Sequence, residues 1–284
     1  MMRYSAAFTA HKKHDGSKAV VHILLIAGVG ITVVPFLWMI LTSFKTLGES
    51  MQVPPVLIPR SFDLSNYFSA VSILPFGSFY FNTVVSTIII VAGQVVFCSM
   101  SAYAFARIDF PFKNAIFLVV LSVLMVPTQI FLLPQYLIMQ KLNLLNTVTA
   151  LWLPNIFSAF GTFLLRQFFM TLPNELEEAA TLDGCNHFMI YSRIMLPLAA
   201  PGVVALAIFT GLFAWNNLMW PLIVNTSTEK MTLSVGLASL QGQHGTNYPV
   251  LMAGSVMAIW PMVVVFIIFQ KQFVQGIAFT GTKA

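Results

Sequence analysis

The chain has 284 residues, 58% of them hydrophobic and only 8% charged, with a mean hydropathy of +0.84. Soluble globular chains carry about 25% charged residues, so this composition excludes a protein folded in water. The formal charge of +5 would suit a nucleic-acid binder only if the basic groups shared a face, and they lie between apolar runs instead.

Six apolar runs, each close to the roughly 20 residues that cross a bilayer core, follow one another without overlap. In lipid a backbone must satisfy its own N–H and C=O groups, so the fold class is read as an all-α membrane protein with six transmembrane helices. Residues 1–19 form a basic leader. The first run, 20–44, exceeds the roughly 7 to 15 residues of a signal-peptide core and no A-x-A-like site follows, so it reads as a retained anchor. Residues 45–77 form an outer segment in which Pro54, Pro55, Pro59 and Pro75 predict extended turns, with one short element around Leu64 to Val71. A five-helix core, 78–270, follows. Its spans are Ser78 to Phe105, Ala115 to Leu137, Val148 to Phe168, Leu198 to Val224 and Val250 to Phe269, and 271–284 form a tail. With the N-terminus in the cytoplasm, Arg3, Lys12, Lys13, Lys18, Arg107, Lys113, Arg166, Arg193, Lys271 and Lys283 fall inside, against Lys45, Arg60, Lys141 and Lys230 outside. That bias predicts cytoplasmic N and C termini. Pro35, Pro127, Pro134, Pro154, Pro221 and Pro261 mark points where spans are free to kink. Cys98 in a span and Cys185 in an inner loop read as structural thiols.

The inner loop 171–197 is long and acidic on the side where basic residues usually gather, which asks for a partner. Pro173 and Asn174 offer a helix start, Glu175, Glu177 and Glu178 suit the positive end of the helix dipole, and Asp183-Gly184 supply a stop. A second short helix is expected from Asn186 to Met195, with Phe188, Tyr191 and Met195 exposed on one face.

At this loop Glu178-Ala179-Ala180-x-x-Asp183-Gly184, followed by Ile194-x-Leu196-Pro197, resembles the EAA signature of permease subunits of binding-protein-dependent ABC importers. Ala102-Tyr-Ala-Phe-Ala-Arg107, Met125-Val-Pro127, Leu142-Asn-Leu-Leu-Asn-Thr147, Trp215-Asn216, Leu251-Met-Ala253, Pro261 and Phe273-Val-Gln-Gly276 are similar to the carbohydrate-uptake branch and its maltose-type second permease subunit. Asn217, where relatives often carry an acidic residue, and Gln275, where they often carry Lys, leave the sugar open. The resemblance implies a type I ABC importer permease fold in the bacterial inner membrane. It also implies a second, homologous permease subunit forming a heterodimer, two ATPase subunits that carry ATP and Mg, an extracytoplasmic solute-binding protein and a sugar cargo, with glycerol phosphate or another polar solute as the alternative. In such importers the motif glutamate, here Glu178, pairs with the ATPase, Gly184 makes the turn, and Phe188 and Tyr191 anchor in its cleft.

Several rival chemistries find little in the residues. Gly276-x-x-x-x-Gly281-Thr282-Lys283 lacks the Lys that a phosphate-binding loop places directly after its second Gly, so no cofactor is expected in this chain. No span carries a confident acidic or basic residue of the kind a secondary carrier uses, and no residue cluster suggests a membrane enzyme. The histidines His11, His14, His22, His187 and His244 show no metal-ligand spacing. For the pathway, Trp215 lies roughly 25 Å from the inner edge of its span, and Trp215, Asn216 and Asn217 are candidates to stack on and hydrogen-bond a sugar. Trp220 is assigned to the aromatic belt. Gln243, His244 and Gly245, in the outer segment before the last span, are candidate contacts for the solute-binding protein.

Overall fold

A computed structural model describes residues 15–242 and 245–281. The leader through His14, the pair Gln243 and His244, and Thr282 to Ala284 lie outside the described residues. In chain order the helices are α1 (Asp15–Ser43), α2 (Leu47–Met51), α3 (Ser65–Ile73), α4 (Phe76–Arg107), α5 (Lys113–Ser122), α6 (Leu132–Lys141), α7 (Val148–Trp152), α8 (Ala159–Thr171), α9 (Glu175–Leu182), α10 (His187–Ile190), α11 (Leu196–Leu198), α12 (Ala200–Asn216), α13 (Met219–Val224), α14 (Leu233–Ser239) and α15 (Tyr248–Gly281). A short antiparallel hairpin pairs β1 (Gln241–Gly242) with β2 (Gly245–Thr246).

Among the described residues three helical segments are long and apolar enough to cross a bilayer unbroken: Val20–Ser43, Phe76–Arg107 and Tyr248–Gln270. The other three expected spans are bent pairs, the third breaking beside Pro127, one of the expected kink points. Lys113–Met125 meets Thr128–Lys141 at 100°, Val148–Asn155 meets Ala159–Thr171 at 44°, and His187–Leu198 meets Ala200–Asn216 at 77°. Each break has a local cause. Val126 precedes Pro127 and takes the extended conformation, φ −95° and ψ 128°, that a following proline favours. Ser158 is extended at ψ 130° and starts α8 afresh by accepting from Gly161 N–H. In the fifth, Ala199 leaves the helical region at φ −83° and ψ 9° and Pro201 stands in the first turn of α12, and Asn217, at ψ 120°, then ends α12 before the expected span is complete. Pro35 and Pro261 sit inside continuous helices instead.

The chain forms two compact units: residues up to Ala70 with Asn247–Val256, and Val71–Thr246 with the residues from Met257 onward. In the first, α1 keeps its apolar span outside the packing of the chain. Its C-terminal end is held by Asn66, whose Nδ2 donates to the carbonyls of Ser43 and Lys45, and by a 2.7 Å bond between the Ser43 and Tyr67 hydroxyls.

In the second unit α4 is the central post. Cys98, Ala102, Tyr103, Phe169, Met195 and Leu206 gather around it in one buried cluster drawn from α4, α8, the inner loop and α12. Around α13 and the segments that pack on it, asparagines do the joining. Asn146, left-handed at φ 58°, accepts from Thr226 and Ser227 N–H, while Asn225 donates to the Thr147 and Lys230 carbonyls and Asn82 to those of Glu229 and Met231. Helix α14 comes so close to α4 that a Cβ on Gly236 would sit 2.1 Å from Phe79 Cε2, and that ring is only 1% exposed. Gly236→Ala is therefore expected to lower stability by about 1–3 kcal/mol, read as an earlier melting transition in detergent.

Candidate coupling and transport sites

The inner loop folds as two short helices around a glycine. Gly184 has φ +80° and closes α9 in a Schellman arrangement, Cys185 N–H bonding the Ala180 carbonyl and Gly184 N–H that of Thr181, each at 3.0 Å. Asn186 then caps α10 by accepting from Met189 N–H at 2.9 Å, and α10 widens into a π turn over Tyr191–Met195. Glu178, Ala179, Asp183 and Gly184 are exposed, Ala180 is buried, Ile194 and Leu196 are half-buried, and Pro197 is exposed.

The faces divide differently from expectation. Phe188 is 65% exposed, but Tyr191 and Met195 turn inward, at 7% and 0%. The Tyr191 hydroxyl lies 2.7 Å from Ser99 Oγ on α4, and its ring packs on Tyr103. Tyr191 is thus a core residue of this chain and not a free anchor. The sequence reading also missed Leu182, which is 89% exposed at the end of α9, beside the turn. Leu182 and Phe188 present apolar surface on either side of Gly184, flanked by Glu178 and Asp183.

Asn174 does not cap α9, because its side chain is taken by Arg107. The Arg107 guanidinium also donates to the carbonyls of Leu172 and of Phe169, the latter already accepting from Leu172 N–H, where α8 ends. Its Nε faces Glu177 Oε1 at 4.0 Å, an ion pair outside hydrogen-bond range. Burial pushes the Glu177 carboxyl above its ordinary pKa, while Arg107 and a hydrogen bond from Tyr103 pull it down. A raised folded-state value means that this group's contribution is fullest at low pH and lost as pH climbs through that value. Glu177→Gln, which lifts the desolvation penalty and can keep the bond to Tyr103, is expected to change the melting free energy at neutral pH by less than about 1 kcal/mol. Neither Arg107 nor Glu177 was singled out as a site residue, although Arg107 ends the Ala102–Arg107 motif.

A cavity of about 540 Å³ opens between α4, α12 and α15, walled by apolar side chains that include Val91, Ile208, Val265 and the Trp215 ring. Trp215 is buried, with Nε1 donating to the Ala258 carbonyl at 3.2 Å. Asn216 is exposed and bonds back to the Leu212 carbonyl, whereas Asn217 is half-buried and its Oδ1 accepts from Trp220 N–H at 3.5 Å as α13 begins. The structure therefore separates the indole from the amides and sets all three at a helix break. Trp220 is corrected from belt to core: it is 3% exposed and its Nε1 donates to the Ala150 carbonyl at 2.8 Å.

A second group of polar residues went unrecognised in the sequence. Gln94, 7% exposed, donates to the Asn155 carbonyl at 2.8 Å and accepts from the Thr210 hydroxyl at 2.8 Å. One turn along α4, Cys98 Sγ bridges Ser158 N–H and C=O at 3.3 and 3.4 Å. These two side chains satisfy the backbone exposed where the fourth span breaks. In the outer hairpin Gly245 has φ +141°, while its neighbours Gln243 and His244 lie outside the described residues. Among the described residues no three of His, Cys, Asp and Glu gather to hold a metal.

Bent spans around a central helix, with an acidic loop locked into their inner end, define a multi-pass membrane protein of the transport-permease class. A family model described as "Binding-protein-dependent transport system inner membrane component" matches residues 94–279, and the chain belongs to this family of inner-membrane ABC importer components. It is 42% identical, over 89% of its length and 92% of the relative's, to the arabinooligosaccharides transport system permease protein AraQ of Halalkalibacterium halodurans. It is 33% identical, over 90% of its length and 94% of the relative's, to the sn-glycerol-3-phosphate transport system permease protein UgpE of Yersinia enterocolitica. Its fold matches a chain from the crystal structure of a bacterial ABC transporter involved in the import of the acidic polysaccharide alginate, with a TM-score of 0.81 at 22% identity, covering 93% of this chain and 99% of that one. The type I permease fold implied by the sequence motifs agrees with that match.

Proposed function

We propose that this chain is one of two homologous permease subunits through which a sugar, released by an extracytoplasmic solute-binding protein, crosses the inner membrane at the expense of ATP hydrolysed on two separate ATPase subunits. In this reading the two termini and loop 171–197 are cytoplasmic, and ATP and Mg stay on the partner. The observation that carries it is the pair of exposed apolar side chains, Leu182 and Phe188, held on either side of Gly184 with Glu178 beside them. Large apolar groups rimmed by charge mark a protein contact. Acidic residues suit a basic cleft and are repelled by anionic lipid headgroups.

A sugar is favoured as cargo by the identity to the arabinooligosaccharide permease over nearly the whole chain. Asn216 and Asn217, at the break of the fifth span, offer amides that match hydroxyl groups. The test is purification in mild detergent with identification of what copurifies, followed by uptake assays with the associated binding protein against a sugar panel that includes glycerol 3-phosphate. Glu178→Lys is expected to reduce ATPase recovery by about tenfold or more while leaving the chain's own melting unchanged, because Glu178 is exposed. Full recovery in that variant contradicts the assigned contact, and uptake by the isolated chain under an ion gradient favours a secondary carrier.

A further inference from the structure

The inner loop is fastened twice to one stripe of α4. Ser99, Tyr103 and Arg107 follow at four-residue intervals and so share a helix face. At the loop's start Arg107, its side chain 7% exposed, grips Asn174 and the Phe169 and Leu172 carbonyls and faces Glu177. At its end Tyr191 meets Ser99, and the Tyr103 ring lies 5.9 Å from Phe169 and 5.5 Å from Tyr191 between centroids. The route along the chain is different. Between α10 and α12 the backbone passes the π turn Tyr191–Met195 and the 77° bend. Regular i to i−4 bonding is interrupted there, so a push on α10 does not travel along a continuous rod into α12.

We propose that α4, through Ser99, Tyr103 and Arg107, receives the loop's displacement, with Arg107 as the positioning residue, and that α12 follows through its packing on α4. This rests on the reading of the loop as the ATPase seat. A guanidinium presents five N–H groups in a planar fork, and here they engage the end of α8 and the start of the loop together. Separating loop from α4 would strip a guanidinium whose side chain is only 7% exposed of these partners, so the two move as one body. Val84, Ile88 and Val91 of α4 also wall the apolar cavity, which a displaced α4 reshapes directly.

The test uses the assembled complex with Arg107→Met, Arg107→Lys, Tyr191→Phe, Ser99→Ala and the Tyr191→Phe/Ser99→Ala double variant, reading ATPase copurification, ATP hydrolysis and solute taken up per ATP. In Arg107→Met the ATPase stays bound and hydrolyses, but uptake per ATP falls by about tenfold or more, and Arg107→Lys, which still donates, loses less. Tyr191→Phe, Ser99→Ala and their double lose the same fraction, the non-additivity expected of one shared contact. Uptake per ATP within about twofold of the parent in Arg107→Met overturns the proposal. Where Arg107→Met does not accumulate, the Tyr191 and Ser99 set decides, and absent or additive losses overturn it. Failure of the underlying reading shows separately, as a parent preparation without ATPase.

Discussion

Phe188→Ala is expected to leave the chain folded and weaken its hold on the ATPase, and with it transport, by roughly thirtyfold. The ring is 65% exposed and its ring contact within the chain is with Tyr191, at 6.1 Å between centroids, so its removal opens no cavity. If the ring fills a partner's pocket, its loss costs about 2 kcal/mol or more, roughly a thirtyfold weaker association. Tyr191→Ala makes the contrast. That side chain is 7% exposed and bonded to Ser99, so truncation is expected to cost about 3–5 kcal/mol of the chain's own stability. Melting and ATPase binding measured on both variants separate surface from core: Phe188→Ala lowers binding alone, and Tyr191→Ala lowers melting first.

Gln94→Leu is expected to be among the most damaging single changes in the spans. The amide satisfies a carbonyl at the break of the fourth span and a hydroxyl on α12 at once, and leucine satisfies neither. Two buried polar groups left unpaired, at about 1–3 kcal/mol each, cost about 2–6 kcal/mol, and lipid offers no water to relieve them. Gln94→Glu, which in its protonated form keeps one donor and one acceptor at the site, is expected to fall between the parent and Gln94→Leu. Melting temperatures of the three proteins in one detergent check the order.

These two residues also show what was legible in the sequence and what was not. Helix number followed from run lengths, because the bilayer fixes how many apolar residues a span needs. The α9 stop at Asp183-Gly184 was legible because a left-handed residue is a local demand that glycine meets. The third break was legible in Pro127, whereas those in the fourth and fifth spans were not, since hydropathy averages over a window and is blind to an extended residue such as Ser158. Gln94 passed unnoticed for the same reason: its partners are a carbonyl 61 residues away and a hydroxyl 116 away, and no local pattern announces them. Tyr191 was misassigned because helical spacing groups it with Phe188, whereas Ser99, far off in sequence, decides which way it faces. Arg107 belonged to a motif noted only as a likeness, and its work at the end of α8 emerges once α4 and α8 are packed together.

The claim that joins fold to function is that an external motor grips the chain at the Gly184 turn from the cytoplasmic side. The most direct measurement places a photo-crosslinker on Leu182→Cys, a position 89% exposed, in intact inner membranes and identifies the adduct by mass spectrometry. The account predicts capture of a nucleotide-hydrolysing subunit, with the cysteine labelled by impermeant reagents only from the cytoplasmic face. Labelling from the outer face, or adducts confined to lipid, would contradict it.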